Sequence, residues 1–463
     1  MNAKWRGRLW VAAALAVVWT VTVIVTAWLV GQAMKGTPAL SSSQADLVLA
    51  VADFPGLARR AVREVAGRFL GDPTTLLVAR AVAEQPQWSR TFPAAGDPGY
   101  LLFSGVDPAS RHSAVQLIRI ADGAVMARWN PDWRALHAQA TEKKWGPRFV
   151  ASDMRALHPL LLDDGSIVFN TEASMVRLQA CEARPMWVLD TVMHHSVEKA
   201  LDESVWAPSV SEEAFPQNAW LHDRLRPDSL ARVSLDGRLL ENRSFATILE
   251  ENGLRAMLLG TSGGQVNEDP IHLNQISVAP SDGRHWQRGD LLVSARHLSA
   301  VFLYRPSTGR ILWHRQGPWM NQHSAAFVDD HRISVFDNDV FGGAPDSDPF
   351  VSPGEINRVI VYDFDTNATS EPFASLLAEA KPVTLTEGRA QLLADGGLFI
   401  EESNFGRHLR FTSDRLLWSR VNDYDKDRIG IVSWSRYLTA EEASVPLRAL
   451  ASRPCNPPAA AGH

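Results

Sequence analysis

The chain has 463 residues, 45% of them hydrophobic and 21% charged, with a net charge of −6; this balance suits a globular body with a large core. No Lys/Arg run exists beyond the amino terminus, which argues against a nucleic-acid partner. The two cysteines, Cys181 and Cys455, stand far apart with no CxxC between them, which removes any metal finger and leaves either a disulfide tying the tail to the body or two buried thiols.

The amino terminus carries Lys4, Arg6 and Arg8 and then runs from Leu9 to Val30 without a charged residue. That is enough for a helix to cross a bilayer, and longer than the roughly 7 to 15 apolar residues of a cleaved signal. Residues 1–33 are therefore expected to form a transmembrane signal anchor, with a cleaved signal as the alternative because Gly31 and Ala33 are small. The basic flank keeps that end cytoplasmic, so the body from about residue 35 faces the periplasm or exterior. Residues 34–95 follow as a helical stalk, with Leu57, Ala61, Val62, Val65 and Phe69 near helical spacing.

From about Tyr100 the texture changes to short apolar runs broken by turn dipeptides, as in "VQLIRIADGAVMARW", "LLLDDGSIVFNT" and "AQLLADGGLFIEE", which is the hairpin signature. Trp129, Trp187, Trp313 and Trp418 each close a strand. Repeated strand, turn and strand with a terminal aromatic predicts a mainly β chain, a six-bladed β-propeller over residues 96–445 with a tail over 446–463; a sandwich or β-helix is the alternative. A propeller gathers residues from the inner strand of every blade into one central channel.

Several polar residues fall at the starts or interiors of these apolar runs: His194 and His195 in "MHHSVEKALDES", His272 and Asn274 in "IHLNQISVAP", Arg296 in "LLVSARHLSAVF" and His323 in "NQHSAAFVDD". On separate strands of a propeller they converge on the channel. Imidazoles, an amide and a guanidinium together suit a tetrahedral oxyanion, because the guanidinium is a planar fork of donors. Carboxylates are scarce in these segments, which argues against a glycosidase acid pair. His331, in the turn "DDH", is expected to be an exposed bystander. Trp319 and Phe405 are candidates for an aromatic wall outside the site proper.

Over residues 155 to 425 these segments resemble the aryl-sulfate sulfotransferase family, exported six-bladed propellers that move a sulfuryl group between phenols. "HHSVEKALDESVWA" is similar to the family's His-His-Asp segment, although Ser196 replaces its Asp and "LDES" lacks its Pro-Asx-Gly turn. "HLNQISVAP" and "GDLLVSARHLSAVFLYRPSTGRILW" resemble its His-x-Asn and Ser-x-Arg strands, "QHSAAFVDDHRISVFDND" its Gln-His segment and Phe-Asp-Asn strand, and "GRAQLLADGGLFI" its last hairpin. The resemblance implies His323 as the nucleophile that becomes transiently sulfated, and His195, His272, Asn274 and Arg296 as the groups holding the sulfuryl and phenolic oxygens.

It further implies ping-pong transfer from an aryl sulfate donor to a phenolic acceptor. No cofactor or metal is expected, and neither a P-loop nor a dinucleotide fingerprint is present to bring a nucleotide-linked donor. Two readings remain open beside it. One is a metal-binding hydrolase that uses the histidine cluster. The other is a non-catalytic, membrane-tethered propeller that binds a partner or glycan.

Overall fold

The computed structural model describes residues 3–35, 44, 47–48, 74–141, 151–210, 219–222, 224–260, 267–341 and 353–452, with side chains described from Val17 to Ala33 in the first of these spans. The chain divides into two units, Met1–Leu70 and Gly71–His463. In the first, Ala3–Lys35 is one continuous helix. Among the described residues no helix is long and apolar enough to cross a membrane, and the side chains of the expected span before Val17 lie outside them. Most of the expected stalk also lies outside the described residues.

The second unit is a six-bladed propeller of four-stranded antiparallel sheets. Blade II is Leu157–Leu161, Ile167–Asn170, Met175–Leu178 and Trp187–Leu189. Blade III is Glu198–Lys199, Ser204–Val210, Asp228–Ser234 and Leu239–Ser244. Blade IV is Leu273–Val278, Leu291–Ala295, Ala300–Arg305 and Arg310–Gln316. Blade V is Ser324–Phe327, Arg332–Asp337, Arg358–Asp363 and Ala368–Ser370. Blade VI is Arg389–Leu392, Leu398–Glu402, Arg407–Phe411 and Leu416–Val421.

Blade I closes the ring. Its inner strand, Arg436–Leu438, comes from the end of the chain, and its other three, Tyr100–Asp107, His112–Arg119 and Val125–Trp129, come from the beginning. Tyr100, Leu101 and Leu102 pair with Leu438, Tyr437 and Arg436, so no inner sheet edge is left open at the junction.

The continuous apolar runs of the sequence exist because a blade is covered on both faces. In Leu291–Ala295, Leu291, Val293 and Ala295 enter the core shared with blade III, while Leu292 enters the core shared with blade V. Six such clusters occur, one at each blade–blade junction, and truncating a fully buried member such as Phe302 to Ala should cost about 3–5 kcal/mol. The four tryptophans lie in outer strands: Trp129 closes its strand, Trp187 opens its own, and Trp313 and Trp418 sit inside theirs. Trp187 donates to the Leu235 carbonyl at 2.9 Å, over Gly237, whose φ of +88 and 2.8 Å approach to the indole admit no side chain.

The ends of the second unit differ from expectation. Leu77–Ala79 pairs with Arg428–Gly430, the short helix Arg80–Ala83 follows, and the Arg407 guanidinium lies 4.4 Å from the Trp88 ring centroid, so the described residues 74–95 form a bracket on the propeller. After Leu438 the chain forms the helix Ala440–Ala451, started by a Thr439/Glu442 capping box, and Leu447 and Leu450 pack on the core between blades I and II. Cys181 is disulfide-bonded; Cys455 lies outside the described residues.

Candidate active site

Each blade presents one residue of positive φ at the start of its inner strand: Trp434, His158, His195, His272, Asn321 and Gly388 for blades I to VI. Left-handed backbone at five non-glycine positions costs on the order of 1 kcal/mol or more each, and such strain persists where the surroundings dictate it. Trp434, His195 and His272 gather at one channel end with His323, which stands two residues after Asn321. Asn274, His323 and Arg436 hold the later position in blades IV, V and I.

The five predicted site residues come together at this end. The His195 ring lies 5.0 Å from that of His272 and 6.4 Å from that of His323. The Arg296 N–H donates to the His272 carbonyl at 2.9 Å, and Asn274 Nδ2 donates to the Gln322 carbonyl, just before His323, at 2.6 Å. His323 and Asn274 are fully buried, whereas His195, His272 and Arg296 keep partial exposure. His194 turns to the second layer: its Nδ1 is 2.8 Å from His195 Nδ1, and its Nε2 is 3.6 Å from Asp228. Asn170 Nδ2 sits 3.1 to 3.3 Å from the carbonyls of His194, His195 and Ser196, and Ser196 Oγ accepts the Ile276 N–H at 3.0 Å, joining blade III to blade IV.

The tautomer of His323 is fixed by its neighbours. Asn338 Nδ2 donates to the carbonyls of Thr384 and Glu387 at 3.1 and 2.7 Å, which turns Asn338 Oδ1 towards His323 Nδ1 at 2.7 Å. An oxygen there requires Nδ1–H, so Nε2 carries the lone pair. Nε2 is buried without a partner. Burial first, then the Arg296 cation, holds the His323 pKa well below the ordinary histidine value, against the opposing Asn338 hydrogen bond; the ring is neutral.

Arg296 supplies a cation that is only partly compensated. Its Nε is buried without a partner, and desolvation lowers its pKa although Asp269 opposes the shift. His195 is pushed well down by burial and then by the neighbouring imidazoles.

Several residues of this site were not singled out from sequence. Asp269 Oδ2 accepts from His272 Nδ1 at 2.5 Å, and His297 stacks on His272 at 4.4 Å. Burial and His272 hold the His297 pKa down to about 4. Asp228, fully buried, accepts the Leu273 N–H at 2.7 Å. The expected scarcity of carboxylates is thus corrected: folding brings Asp228 and Asp269 in from outside the motif segments. Gln322 Nε2 donates towards Ser294 Oγ and the Ala295 and Ala300 carbonyls at 3.0 to 3.2 Å, clamping the His323 strand to blade IV. Trp434 is the aromatic wall, 5.1 Å from His195 and 6.3 Å from His323; its only signal was the recurrence of a special residue before each inner strand. Trp319 is instead a core residue between blades IV and V, and Phe405 packs under the amino-terminal bracket.

His331 sits in the hairpin between Phe327 and Arg332, at the far end of the strand that His323 precedes. It is half-buried, not exposed, because Arg284, Asp330 and Asp363 clasp it. Asp269, His272 and His297 place one ligand-type atom each within 4.8 Å of one another.

The profile of the Arylsulfotransferase (ASST) family matches residues 158–422, from the inner strand of blade II to the end of blade VI. No curated protein matches the chain. Among solved structures, a protein of unknown function from Bacteroides caccae is similar at 12% identity, covering 74% of this chain and 99% of that one, with a TM-score of 0.44. Virginiamycin B lyase from Staphylococcus aureus with quinupristin is similar at 10% identity, covering 73% and 85%, with a TM-score of 0.36. BamB from Moraxella catarrhalis is similar at 10% identity, covering 65% and 64%, with a TM-score of 0.31. The family profile spans more than half of the chain, including the blades that carry His195, His272, Asn274, Arg296 and His323, and the chain belongs to the arylsulfotransferase family.

Proposed function

We propose that the protein moves a sulfuryl group from an aryl sulfate to a phenol through a sulfohistidine on His323. The observation that carries this reading is the buried, unpartnered Nε2 of His323, held as a lone pair by Asn338. In the first half-reaction Nε2 attacks sulfur, the S–O bond to the aryl group breaks, and the phenolate leaves with that electron pair. In the second, a phenol oxygen attacks the sulfohistidine, its proton leaves to a base, and the S–N bond pair returns to Nε2.

Charge gathers on the equatorial oxygens of the sulfuryl group as it passes, much as in phosphoryl transfer, and the Arg296 guanidinium, its Nε unpartnered, meets it. His272 is the proton donor to the departing phenolate and later its acceptor. Asp269, 2.5 Å from His272 Nδ1, orients the ring so that Nε2 faces the phenol oxygen, whereas the Nδ1 of His195 meets another imidazole, that of His194. Asn274 commits its amide N–H to the Gln322 carbonyl, so its role is to hold the His323 strand as much as to touch a sulfuryl oxygen. Trp434 supplies a ring face for the phenol.

We place this body outside the cytoplasm on an amino-terminal anchor. The disulfide at Cys181 supports an oxidising compartment, and Trp19, Ile24 and Trp28 of the helix are more than half exposed, as lipid-facing side chains are. A metal-binding hydrolase is the second reading, favoured by the Asp269, His272 and His297 triad.

The test is transfer from 4-nitrophenyl sulfate to a phenol, with mass spectrometry of the enzyme quenched in donor alone. One sulfuryl increment on the peptide containing His323, absent in His323→Ala, is expected. Transfer by His323→Ala at the wild-type rate would overturn the assignment, and stoichiometric metal bound at the triad would favour the second reading.

A further inference from the structure

The channel has a second end. The inner strands run from the His323 end towards a cavity of about 510 Å³ bordered by Glu198, Lys199, Ser324, Arg389 and Glu442. His158 and Trp434 stand between the two ends: the rings meet edge-on at 5.6 Å, and Trp434 in turn faces His195 and His323.

The cations at this end are not all paired. Glu198 Oε2 is engaged by Arg436 at 3.1 Å and Oε1 by Gln275 at 3.1 Å, and Glu442 caps its own helix through Thr439. Lys199 is half exposed and reaches Asp163 only at 3.6 Å. Arg389 is 9% exposed, yet among the described residues its side chain makes one hydrogen bond, from Nη1 to His158 Nε2 at 2.7 Å. That imidazole is neutral, its pKa held well down by burial and then by Arg436 and Arg389. Among the described residues no carboxylate lies within ion-pair reach of Arg389. Desolvation and Arg436 pull its own pKa down to about 10 against the through-space pull of Glu198, Glu401 and Glu442, none of which pairs with it. Ser324 Oγ accepts the Ala390 N–H at 3.3 Å and keeps its own hydrogen to donate.

We propose that this cavity is a second anion site, in which Arg389, Ser324 and Lys199 hold the oxyanion group of a small sulfate- or carboxylate-bearing molecule. A buried guanidinium with spare N–H groups, a free hydroxyl and a mobile ammonium around one cavity form a donor set for two or three anionic oxygens. The site stands on residues separate from those of sulfuryl transfer, although Ser324 directly follows His323, and His158 and Trp434 lie between the two ends.

The test uses the full chain with inorganic sulfate and acetate as probes, titrated at constant ionic strength against chloride, together with crystals soaked in selenate. Wild-type protein should show an anomalous selenium peak beside Arg389. Arg389→Gln should abolish that peak and weaken the Arg389-dependent affinity about tenfold or more, while Arg296→Gln leaves both unchanged. The stronger of the sulfate and acetate arms identifies the source of the oxyanion. If Arg389→Gln fails to fold, Ser324→Ala and Lys199→Gln should each lower the same affinity severalfold. Absence of the wild-type peak, or anion binding equal in wild type and the Arg389, Ser324 and Lys199 variants, would overturn the site. Failure of sulfuryl transfer itself is read separately, from His323→Ala.

Discussion

His323 donates its Nδ1 proton to Asn338 Oδ1 at 2.7 Å, and Asn338 cannot turn round, because its own amide is spent on the carbonyls of Thr384 and Glu387. Asn338 is therefore a positioning residue for the lone pair on Nε2. Asn338→Leu removes the acceptor and frees the other tautomer; where a neighbour fixes a catalytic histidine's tautomer, its loss costs up to about 10⁴-fold in kcat. Asn338→Asp keeps an acceptor but adds a charge that raises the His323 pKa, so the acid limb of the pH–rate profile should move to higher pH. Full activity in Asn338→Leu, or an unmoved acid limb in Asn338→Asp, would count against this role.

Asn274 separates two kinds of contribution. Its Nδ2 satisfies the Gln322 carbonyl inside a fully buried site, so Asn274→Ala strands that carbonyl and should cost about 1–3 kcal/mol of stability. A group that only touched the sulfuryl oxygens would lower kcat and leave the unfolding midpoint alone. Urea denaturation beside steady-state kinetics decides: loss of both is expected, and loss of activity with unchanged stability would assign Asn274 to the substrate.

The propeller was legible in the sequence because Asp-Gly turns and two-sided apolar strands are local signals, and each blade repeats them. The channel residues on the inner strands were legible through their polarity against that apolar texture, as with His323 in "QHSAAF". What stayed hidden is what only the closed ring creates. Asp269 and Asp228 are ordinary acidic residues until folding sets them against His272 and Leu273. Trp434 is one of sixteen tryptophans until the last strand returns to blade I. The bracket at Leu77–Ala79 gave no periodic signal because three residues pairing with Arg428–Gly430 are too few to show one.

The buried imidazoles make stability depend on pH. Burial is the leading cause of the lowered pKa values of His158, His194, His195, His323 and His408. Below about pH 6.5 the unfolded chain takes up protons that the folded chain refuses, so stability is full above that pH and falls as pH drops beneath it. Each residue contributes up to about 1.4 kcal/mol per pH unit until its folded pKa is reached. Glu402, raised to about 7 by burial, acts in the opposite sense between its unfolded value and 7, and Glu387 and Asp337, also raised by burial, act in that sense too, but these are three groups against five. Denaturation from about pH 7 to about pH 5 should show falling stability and proton uptake on unfolding of more than one per chain. A midpoint that rises over this range would refute the argument.

Arg296 sets function against stability. Its Nε is buried without a partner among the described residues, and desolvation lowers its pKa against only the through-space pull of Asp269, so the folded state bears a cation that is only partly compensated; the sulfuryl oxygens complete the compensation. Arg296→Leu, apolar and smaller, should raise the unfolding midpoint while lowering kcat/KM on the order of 10²-fold, the loss seen when one oxyanion donor is removed. Arg296→Lys keeps the charge without the fork and should restore only part of the activity. Saturating sulfate should stabilise the wild type more than Arg296→Leu, because only the wild type gains a counter-ion at that position. A destabilised Arg296→Leu protein that kept its activity would place the guanidinium in the architecture of the channel and not in its chemistry.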